Sequence, residues 1–395
     1  MKKFLFNFKS SSRELGLFTP TEEHGALREM LAGFVKTKVD PQALEHDREE
    51  KFNVKLFREL GDLGLLGITA PEKYGGSEMD ALAAVIAHEE LSSSDPAFCL
   101  SFLAHSMLFV NNVARNASDA QCQKYLPDAC SGAKICGMAM SEPSVGTDVL
   151  GMRTTAKKSD CGKYYLLNGT KMWITNGALN DTELGDTFLV YARTGNSGKA
   201  KQDFSSFLVE KGFEGFSLGQ RIKDKCGMRA SNTAELVFEN CKVPVENIVG
   251  TEGSAVLCMM RNLEIERVTL AAMSLGIARR SLEVMSNYAK EREAFGRPLN
   301  NFGQIQKNIA SRTRNTWLDL DSVGNRVDTD GVKLYCGDMA KRVADRAIQT
   351  LGGYGYVGEY NVERLWRDSK LLEIGGGTNE SHHKNMVQDL VRNGL

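Results

Sequence analysis

Two glutamates, Glu264 and Glu266, lie in the segment LEIER, residues 263–267, inside a long apolar stretch. Removing a proton from a carbon atom needs a base such as a carboxylate, and the pKa of a carboxylate rises when it is desolvated in an apolar pocket. On a helix these two side chains would point about 200° apart, so only one of them can face a given site. A solvated charge on the helix surface is the ordinary alternative for either glutamate.

Three consecutive glycines, Gly375, Gly376 and Gly377, lie in LLEIGGGTNE, residues 371–380. They do not match a phosphate-binding P-loop, because no Lys-Ser/Thr pair follows them. Residues without a Cβ can clear volume beside a ligand, and the Gly376 N–H can donate to an oxygen that gains negative charge. A helix end and a turn before the last helix would use the same glycines.

A polar loop precedes a segment that contains a tryptophan. In AMSEPSVGTD, residues 139–148, the hydroxyls of Ser141 and Thr147 beside Gly146 can form a rim for a phosphate or a heteroaromatic ring. In KMWITNG, residues 171–177, Trp173 offers a flat apolar face beside the Thr175 hydroxyl, which suits a planar cofactor. A plain surface loop and a core tryptophan predict much of the same composition.

Two further segments combine charge, aromatic rings and glycine. In REAFGRPLNNFGQIQ, residues 292–306, Arg292 can pair with a pyrophosphate and Phe295 can cover an adenine, although a solvated helix end is the alternative. QTLGGYGYVGEYNVERLWRD, residues 349–368, is a glycine-rich turn after a helix. It is not a Rossmann fingerprint, because no strand precedes it and the glycine spacing differs.

The elements that must position these residues fall into three parts. A helical period runs from Thr21, a plausible N-cap, to about residue 133, and short β-rich runs follow from about 136 to 245. Asn168-Gly169 predicts the turn of a β-hairpin within KYYLLNGTKMWITNG. After Gly253 a very long helix and a second one that ends at Gly352-Gly353 require a bundle. We therefore predict an α+β multidomain fold: an N-terminal helical domain (18–135), a middle β-barrel or sandwich domain (136–247) and a C-terminal helical bundle (248–395).

Composition excludes several classes of function. The 49 Lys+Arg nearly balance the 50 Asp+Glu, so neither a nucleic-acid groove nor a polybasic membrane patch is indicated. No run approaches the ~18 apolar residues of a membrane span. The nine cysteines include no C-x-x-C pair and suggest a reducing compartment. The first thirteen residues are basic and resemble the tail of an organelle-targeting peptide, or equally a frayed start of a cytosolic protein.

Taken together and in this order, these segments resemble the acyl-CoA dehydrogenase family from about Phe18 to Leu390. Both signature segments of the family are recognisable: AMSEPSVGTDVLG, and the run from Gln349 through Gly352-Gly353 to Asp368. The resemblance implies an FAD enzyme, usually a homotetramer, that passes electrons from an acyl-CoA substrate to an electron-transfer flavoprotein. It implies no metal. It places the chain in the mitochondrial matrix if the source is eukaryotic and in the cytoplasm otherwise.

The resemblance also assigns site residues. Those that would line the flavin are Met138, Met140, Ser141, Gly146, Thr147, Trp173, Ile174 and Thr175. Those that would hold the rest of FAD, partly in a neighbouring subunit, are Arg292, Phe295, Gln349, Gly352, Gly353, Thr378 and Glu380. Those that would meet the acyl-CoA are Thr147, Glu264, Arg267, Gly375, Gly376 and Gly377.

The catalytic carboxylate is missing from its usual place. In many members it stands two residues before the threonine of the Gly-Thr pair, and here that position is Gly376. Glu266 matches the alternative base position of members that act on isovaleryl-CoA or on long-chain acyl-CoA. The resemblance thus implies Glu266 as the base, and the volume freed at Gly376 suits a branched acyl chain. We expect oxidation of isovaleryl-CoA to 3-methylcrotonyl-CoA in leucine degradation, with a long- or medium-chain acyl-CoA as the alternative.

Several departures from the family pattern leave other functions open. Val145 replaces a small residue, Leu257 and Leu372 stand where tyrosine is expected, and Gly303 stands where many members have glutamine. The stretch from Phe302 to Gly353 is also shorter than is usual, by about 15 Å of helix. A non-catalytic acyl-CoA-binding protein is therefore one alternative, and an oxidase that passes electrons to oxygen is another.

Overall fold

The computed structural model describes residues 20–195, 202–313 and 326–392. A helical part, a β-sheet and a second helical part follow one another along the chain. The helices are α1 (Glu22–Phe34), α2 (Asp40–Glu49), α3 (Val54–Asp62), α4 (Ala81–Ser92), α5 (Pro96–Leu103), α6 (Asn112–Asn116), α7 (Asp119–Cys130), α8 (Ala255–Glu291), α9 (Gly303–Thr313), α10 (Arg326–Leu351), α11 (Val362–Ser369) and α12 (Asn379–Arg392). This order confirms the predicted fold class.

The strands follow the predicted β-rich runs, and three short ones lie beyond them. They are β1 (Cys136–Ala139), β2 (Thr155–Lys158), β3 (Tyr164–Thr175), β4 (Thr187–Arg193), β5 (Phe204–Glu210), β6 (Phe216–Ile222), β7 (Thr233–Pro244), β8 (Ile248–Val249), β9 (Glu293–Ala294) and β10 (Arg297–Pro298). β1 to β8 form one eight-stranded sheet in the order β6-β7-β3-β2-β4-β5-β8, with β1 parallel to β4. The middle domain is therefore built on a single sheet.

Strand β4 joins the sheet to the helices. Phe188 and Val190 pack into the core of the sheet itself, whereas Leu189 and Tyr191 pack against residues of α7 and α8. Because both faces are buried, the strand is an almost continuous apolar run instead of an alternating one. The helical parts are thereby held against one face of the sheet.

The predicted hairpin at Asn168-Gly169 is wrong. Both residues lie inside β3, where the pairing with β7 shifts its register between Leu167 and Gly169, as in a β-bulge. The Asn168 side chain exchanges two hydrogen bonds with Asn240 of β7 instead of forming a turn. Gly169 has φ +147°, and a Cβ there would lie 2.8 Å from the Thr154 Cα. The dipeptide therefore serves a bulge and a close backbone approach.

The predicted start of the first helix and the predicted end of the helix before Gly352 both agree with the structure. The Thr21 side chain accepts a hydrogen bond from the His24 N–H at the start of α1, as an N-cap does. Helix α10 ends at Leu351, and Gly352 follows with φ +62°. The basic N-terminal residues and residues 314–325 of the shortened stretch lie outside the described residues.

The prediction that no run is apolar enough for a membrane span is wrong for the segment Pro96–Asn116, which is long and apolar enough to cross a membrane. However, 83% of its apolar window is buried inside the protein, where Phe98, Phe102 and Phe109 are fully packed. Packing in the core accounts for its composition.

The largest core joins all three parts of the chain. It combines apolar residues from helices α1, α3, α4 and α5 with Met228 and Ala230 of the middle part and with Leu270 and Leu365 of the C-terminal part. Helix α8 runs through this region and packs against α4 and α10. A charged side chain on its inward face is therefore removed from water.

Candidate active site

Glu266 is a buried carboxylate on α8. Only 7% of the residue is exposed, and its Oε2 has no hydrogen-bond partner among the described residues. Burial raises the pKa of Glu266 to about 7, and the positive charges of Arg267 and Lys333 oppose that rise. A carboxylate with this pKa can accept a proton near neutral pH. Glu264 is only partly buried on a different side of the helix, so the choice between the two glutamates made from the sequence agrees with their burial.

The glycine turn lies directly beside this carboxylate. Gly376 has φ +65°, and a Cβ built on it would overlap the Leu270 Cδ1 methyl and lie 3.6 Å from the Glu266 Oε1. Gly375 donates its N–H to the Leu371 carbonyl at 2.8 Å, whereas no acceptor within the described residues takes the Gly376 N–H. The turn therefore presents a free backbone donor next to a buried acid, with no side chain between them.

A charged network surrounds the turn, and three of its members were missed in the sequence. Arg267 Nη1 lies 2.9 Å from Asp330 Oδ1, which also lies 2.9 Å from His382 Nδ1. Lys333 Nζ donates to the Gly377 carbonyl at 2.7 Å. Because Asp330 and Lys333 are charged residues on the buried face of α10, their departure from its apolar pattern is the signal that could have identified them.

The residues predicted to line a flavin gather where β1 and β3 end. The side chains of Met138, Met140, Ser141 and Thr175 are partly buried there, and the Met172 N–H donates to the Ser141 carbonyl at 2.9 Å. Trp173 has φ +66° and keeps 60% of its surface exposed. A core tryptophan is thus excluded, and the exposed ring is available to a planar ligand.

Three other residues of this group do not present a partly buried side chain to the predicted flavin site. Ile174 is buried within the core of the sheet, so its side chain does not face the Trp173 side and only its backbone can line a ligand. Gly146 and Thr147 are exposed in the loop that follows β1. Val145 is buried, so the extra volume at this position points into the protein and not into the loop rim.

A buried ion pair supports the loop after β1. Lys171 Nζ lies 2.9 Å from both the Glu142 Oε1 and the Met140 carbonyl, and Glu142 also accepts the N–H groups of Arg153 and Thr154. Burial alone would raise the pKa of Glu142, but Lys171 and these donors bring it below its ordinary value. The pair fixes the backbone that carries Met140 and Ser141.

The second group of predicted cofactor residues lies at the far end of α8. Arg292, Gly352 and Gly353 line a cavity of about 580 Å³ together with Tyr288 and Tyr354. Gln349 is exposed nearby in sequence, on the last turn of α10. Arg292 is separated from Glu266 by roughly 40 Å along the helix, at 1.5 Å per residue. The structure therefore does not bring this group to the carboxylate of the same chain.

The remaining predicted residues are spread over the surface of the C-terminal part. Phe295 is 96% exposed, and Glu380 is also exposed. The Thr378 hydroxyl accepts the Ser381 N–H in the first turn of α12, so it is already engaged. Of the positions where tyrosine was expected, Leu257 is exposed and Leu372 is fully buried.

Comparisons with known proteins agree along the whole described chain. Models of the acyl-CoA dehydrogenase N-terminal, middle and C-terminal domains match residues 21–133, 137–241, and 256–316 with 313–391. The mitochondrial isovaleryl-CoA dehydrogenase of Arabidopsis thaliana is 42% identical over 95% of this chain and 92% of its own length. The mitochondrial 2-methylacyl-CoA dehydrogenase of Solanum tuberosum is 39% identical over 95% of this chain and 93% of its own.

Solved structures give the same result. Butyryl-CoA dehydrogenase from Megasphaera elsdenii has a TM-score of 0.87 at 33% identity and covers 94% of this chain and 99% of its own. An acyl-CoA dehydrogenase from Bacillus anthracis, complexed with FAD, has a TM-score of 0.86 at 30% identity, over 94% of this chain and 67% of its own. A chain from a study of the electron transferring flavoprotein of Acidaminococcus fermentans has a TM-score of 0.88 at 34% identity, over 94% and 98%.

The chain belongs to the acyl-CoA dehydrogenase family. It is an oxidoreductase that acts on a CH–CH bond, and its cofactor is FAD. The residues present fit that cofactor, since the exposed Trp173 ring and the partly buried side chains beside it offer an apolar platform for a planar ring system.

Proposed function

We propose that this protein dehydrogenates a short branched-chain acyl-CoA, isovaleryl-CoA, at its α,β-bond and passes the electrons to an electron-transfer flavoprotein. The observation that carries the proposal is the contact between the buried Glu266 and the turn at Gly376, the position where many members of the family have their carboxylate. An acid that stands beside that position can serve the same substrate carbon.

Glu266 acts as the base in this proposal. Desolvation makes its carboxylate basic enough to take the proton from the α-carbon of the thioester. The Gly376 N–H donates to the thioester carbonyl oxygen and stabilises the negative charge that develops there. FAD, when bound, supplies the acceptor for the hydride that leaves the β-carbon. Burial around Glu266 also keeps bulk water away from the proton.

The apolar surface beside Glu266 and the names of the relatives support a branched acyl chain. Gly375 and Gly376 contribute no side chain, and the apolar Leu270 Cδ1 methyl occupies the place that a Cβ on Gly376 would take. The Arabidopsis relative is named for isovaleryl-CoA and the potato relative for 2-methylacyl-CoA, so both are branched substrates. We infer that branching at the β-carbon is preferred, and a 2-methylacyl-CoA is the competing substrate.

A homotetramer explains where the second group of cofactor residues acts. The cavity lined by Arg292, Gly352 and Gly353 lies at the far end of α8. These residues are too far from Glu266 to contact a ligand beside it in the same chain. The almost fully exposed Phe295 and Tyr356 also leave aromatic surface for a neighbouring subunit to cover. We infer that each FAD is held by two chains. We also infer a mitochondrial location if the source is eukaryotic, as the names of both plant relatives state for those proteins.

Anaerobic titration of the holoenzyme tests the function directly. We expect isovaleryl-CoA to bleach the flavin absorbance of the native protein, 2-methylbutyryl-CoA to do so less well, and octanoyl-CoA to do so poorly. Glu266→Gln should bleach almost not at all, whereas Glu283→Gln, which changes an exposed glutamate on the same helix, should behave like the native protein. Normal bleaching by Glu266→Gln would refute the base assignment.

Two further outcomes decide between the proposed enzyme and its alternatives. Turnover that needs an electron-transfer flavoprotein and continues without oxygen supports a dehydrogenase, whereas equal turnover with oxygen alone supports an oxidase. Purified protein that stays colourless after FAD is added would instead support a non-catalytic acyl-CoA-binding protein.

A further inference from the structure

Lys333 is a buried cation that the proposed chemistry does not use. It lies on α10 with 1% of its surface exposed, and its Nζ donates to the Gly377 carbonyl at 2.7 Å. Burial lowers the pKa of Lys333 to about 8, and the negative charges of Glu266 and Asp330 oppose that change. Burying an ammonium group costs free energy unless a partner compensates for it. The groups around Lys333 therefore show how the cost of burying its ammonium group is compensated.

The other charged groups around Lys333 are already matched. From α8, Arg267 pairs with Asp330 of α10, and from α12, His382 bonds to the same carboxylate. From the turn before the glycines, Glu373 pairs with Lys341 and Lys370. Among the described residues, the Glu266 carboxylate and the Lys333 ammonium are then the charges of this region that form no ion pair.

The glycine turn lies next to both groups. Lys333 holds the carbonyl of Gly377, and the preceding residue, Gly376, lies against the Glu266 carboxylate. A positive charge near a buried carboxylate favours the charged form of the acid, and Arg267 and then Lys333 act on Glu266 in this direction. The same hydrogen bond limits the freedom of the turn that carries the Gly376 N–H.

We propose that Lys333 is a positioning residue for the base: its ammonium group favours the ionised form of Glu266 in the free enzyme, and its hydrogen bond to Gly377 holds the glycine turn beside that carboxylate. This inference rests on the proposed role of Glu266 and extends it. It gives the lysine two separable effects, one of charge and one of geometry. The two effects call for different substitutions.

Lys333→Gln removes the charge but keeps an N–H donor, Lys333→Met removes both, and Lys333→Arg keeps the charge. The protonation of Glu266 is followed in the holoenzyme without substrate, from the infrared absorption of the protonated acid that Glu266→Gln lacks. We expect the midpoint of Glu266 protonation to rise by about one pH unit in both Lys333→Gln and Lys333→Met. This rise corresponds to a change of about tenfold in the acid constant. Lys333→Arg should keep the native midpoint.

The activity of the Lys333 variants distinguishes the effect of the lysine on the geometry of the turn from its effect on charge. At a pH above both midpoints, Lys333→Gln should retain most of the native kcat with isovaleryl-CoA, whereas Lys333→Met should lose about tenfold because the turn is no longer held. Arg342→Gln is the matched control, since it removes a positive charge from the exposed side of the same helix, where Arg342 pairs with Asp338. Arg342→Gln should change neither the midpoint of Glu266 protonation nor kcat.

The failure of this inference can be told apart from the failure of the proposed function. Unchanged Glu266 midpoints in both Lys333→Gln and Lys333→Met would overturn the role of the lysine and leave the base assignment intact. If Lys333→Met fails to fold, Lys333→Gln and Lys333→Arg still decide the effect of charge. Normal flavin bleaching by Glu266→Gln would overturn the base assignment, and the role of Lys333 with it.

Discussion

Gly376 and Glu266 meet across the site: a Cβ built on the glycine would lie 3.6 Å from the Oε1 of the glutamate. The two residues come from different helical segments, α8 and the turn before α12. A carboxylate anchored at either backbone position can therefore reach the same small volume. This closeness supports the proposal that Glu266 of α8 is the base, since residue 376 has no side chain.

The pH dependence of catalysis should report the buried base. Because Glu266 must be ionised to accept a proton and burial raises its pKa to about 7, kcat/KM should fall about tenfold per pH unit below pH 7. The measurement is the pH profile of kcat/KM with isovaleryl-CoA. An acid limb near pH 4.5, the ordinary value for a glutamate, would contradict a desolvated base.

Glu266→Gln should make the protein more stable at neutral pH. The native pKa lies above that of the unfolded chain, so this acid favours unfolding as the pH rises from 4.5 to 7, by about 3 kcal/mol at the upper end. The neutral amide has no such effect. Thermal unfolding of both proteins at pH 5 and pH 8 should show a larger advantage for the variant at pH 8. An equal difference at both values would mean that burial does not raise the pKa of Glu266.

Gly376→Ala should impair both folding and catalysis. The new methyl group would overlap the Leu270 Cδ1, and φ +65° is unfavourable for alanine, so we expect a loss of about 1–3 kcal/mol. Leu270→Ala added to this variant should recover part of the activity lost through overlap. Chemical unfolding and kcat/KM measure the two effects. No difference between the single and double variants would exclude the overlap.

Lys171→Met should weaken the retention of FAD. It leaves the buried Glu142 without its cation, which we expect to cost about 3–5 kcal/mol, and it frees the Met140 carbonyl. The ratio of FAD to protein after purification measures the effect on the loop. Lys242→Met removes an exposed lysine that pairs with Glu214 and should leave that ratio unchanged. Equal ratios in the two variants would show that the buried pair does not support the loop.

Gly169→Ala should destabilise the sheet more than Gly162→Ala does. Both glycines have positive φ, but only Gly169 lies against Thr154, while a Cβ at Gly162 would meet nothing within 4 Å. The difference in the free energy of unfolding combines the cost of the close approach with that of the backbone conformation, since φ is +147° at Gly169 and +72° at Gly162. Similar losses in the two variants would argue against a packed bulge.

The sequence predicts helices better than it predicts tertiary contacts, and the proposed base comes from the resemblance to the family. The period of α8 and the absence of a side chain at Gly376 are local properties, and both can be recognised without coordinates. Asn168-Gly169 was misread as a turn because the same dipeptide also suits a bulge, and only the pairing with Asn240 distinguishes the two. The partners of Lys333 come from distant segments, so no local pattern identifies them.

The core shared by all three parts of the chain limits how the protein can be divided. Leu27, Ala230 and Leu365 pack in one cluster, although they come from the first, the middle and the last part. A fragment expressed alone would leave that apolar surface open to solvent and tend to aggregate. We therefore expect that swapping whole parts between relatives will yield insoluble chimaeras unless the residues at this junction are exchanged with them.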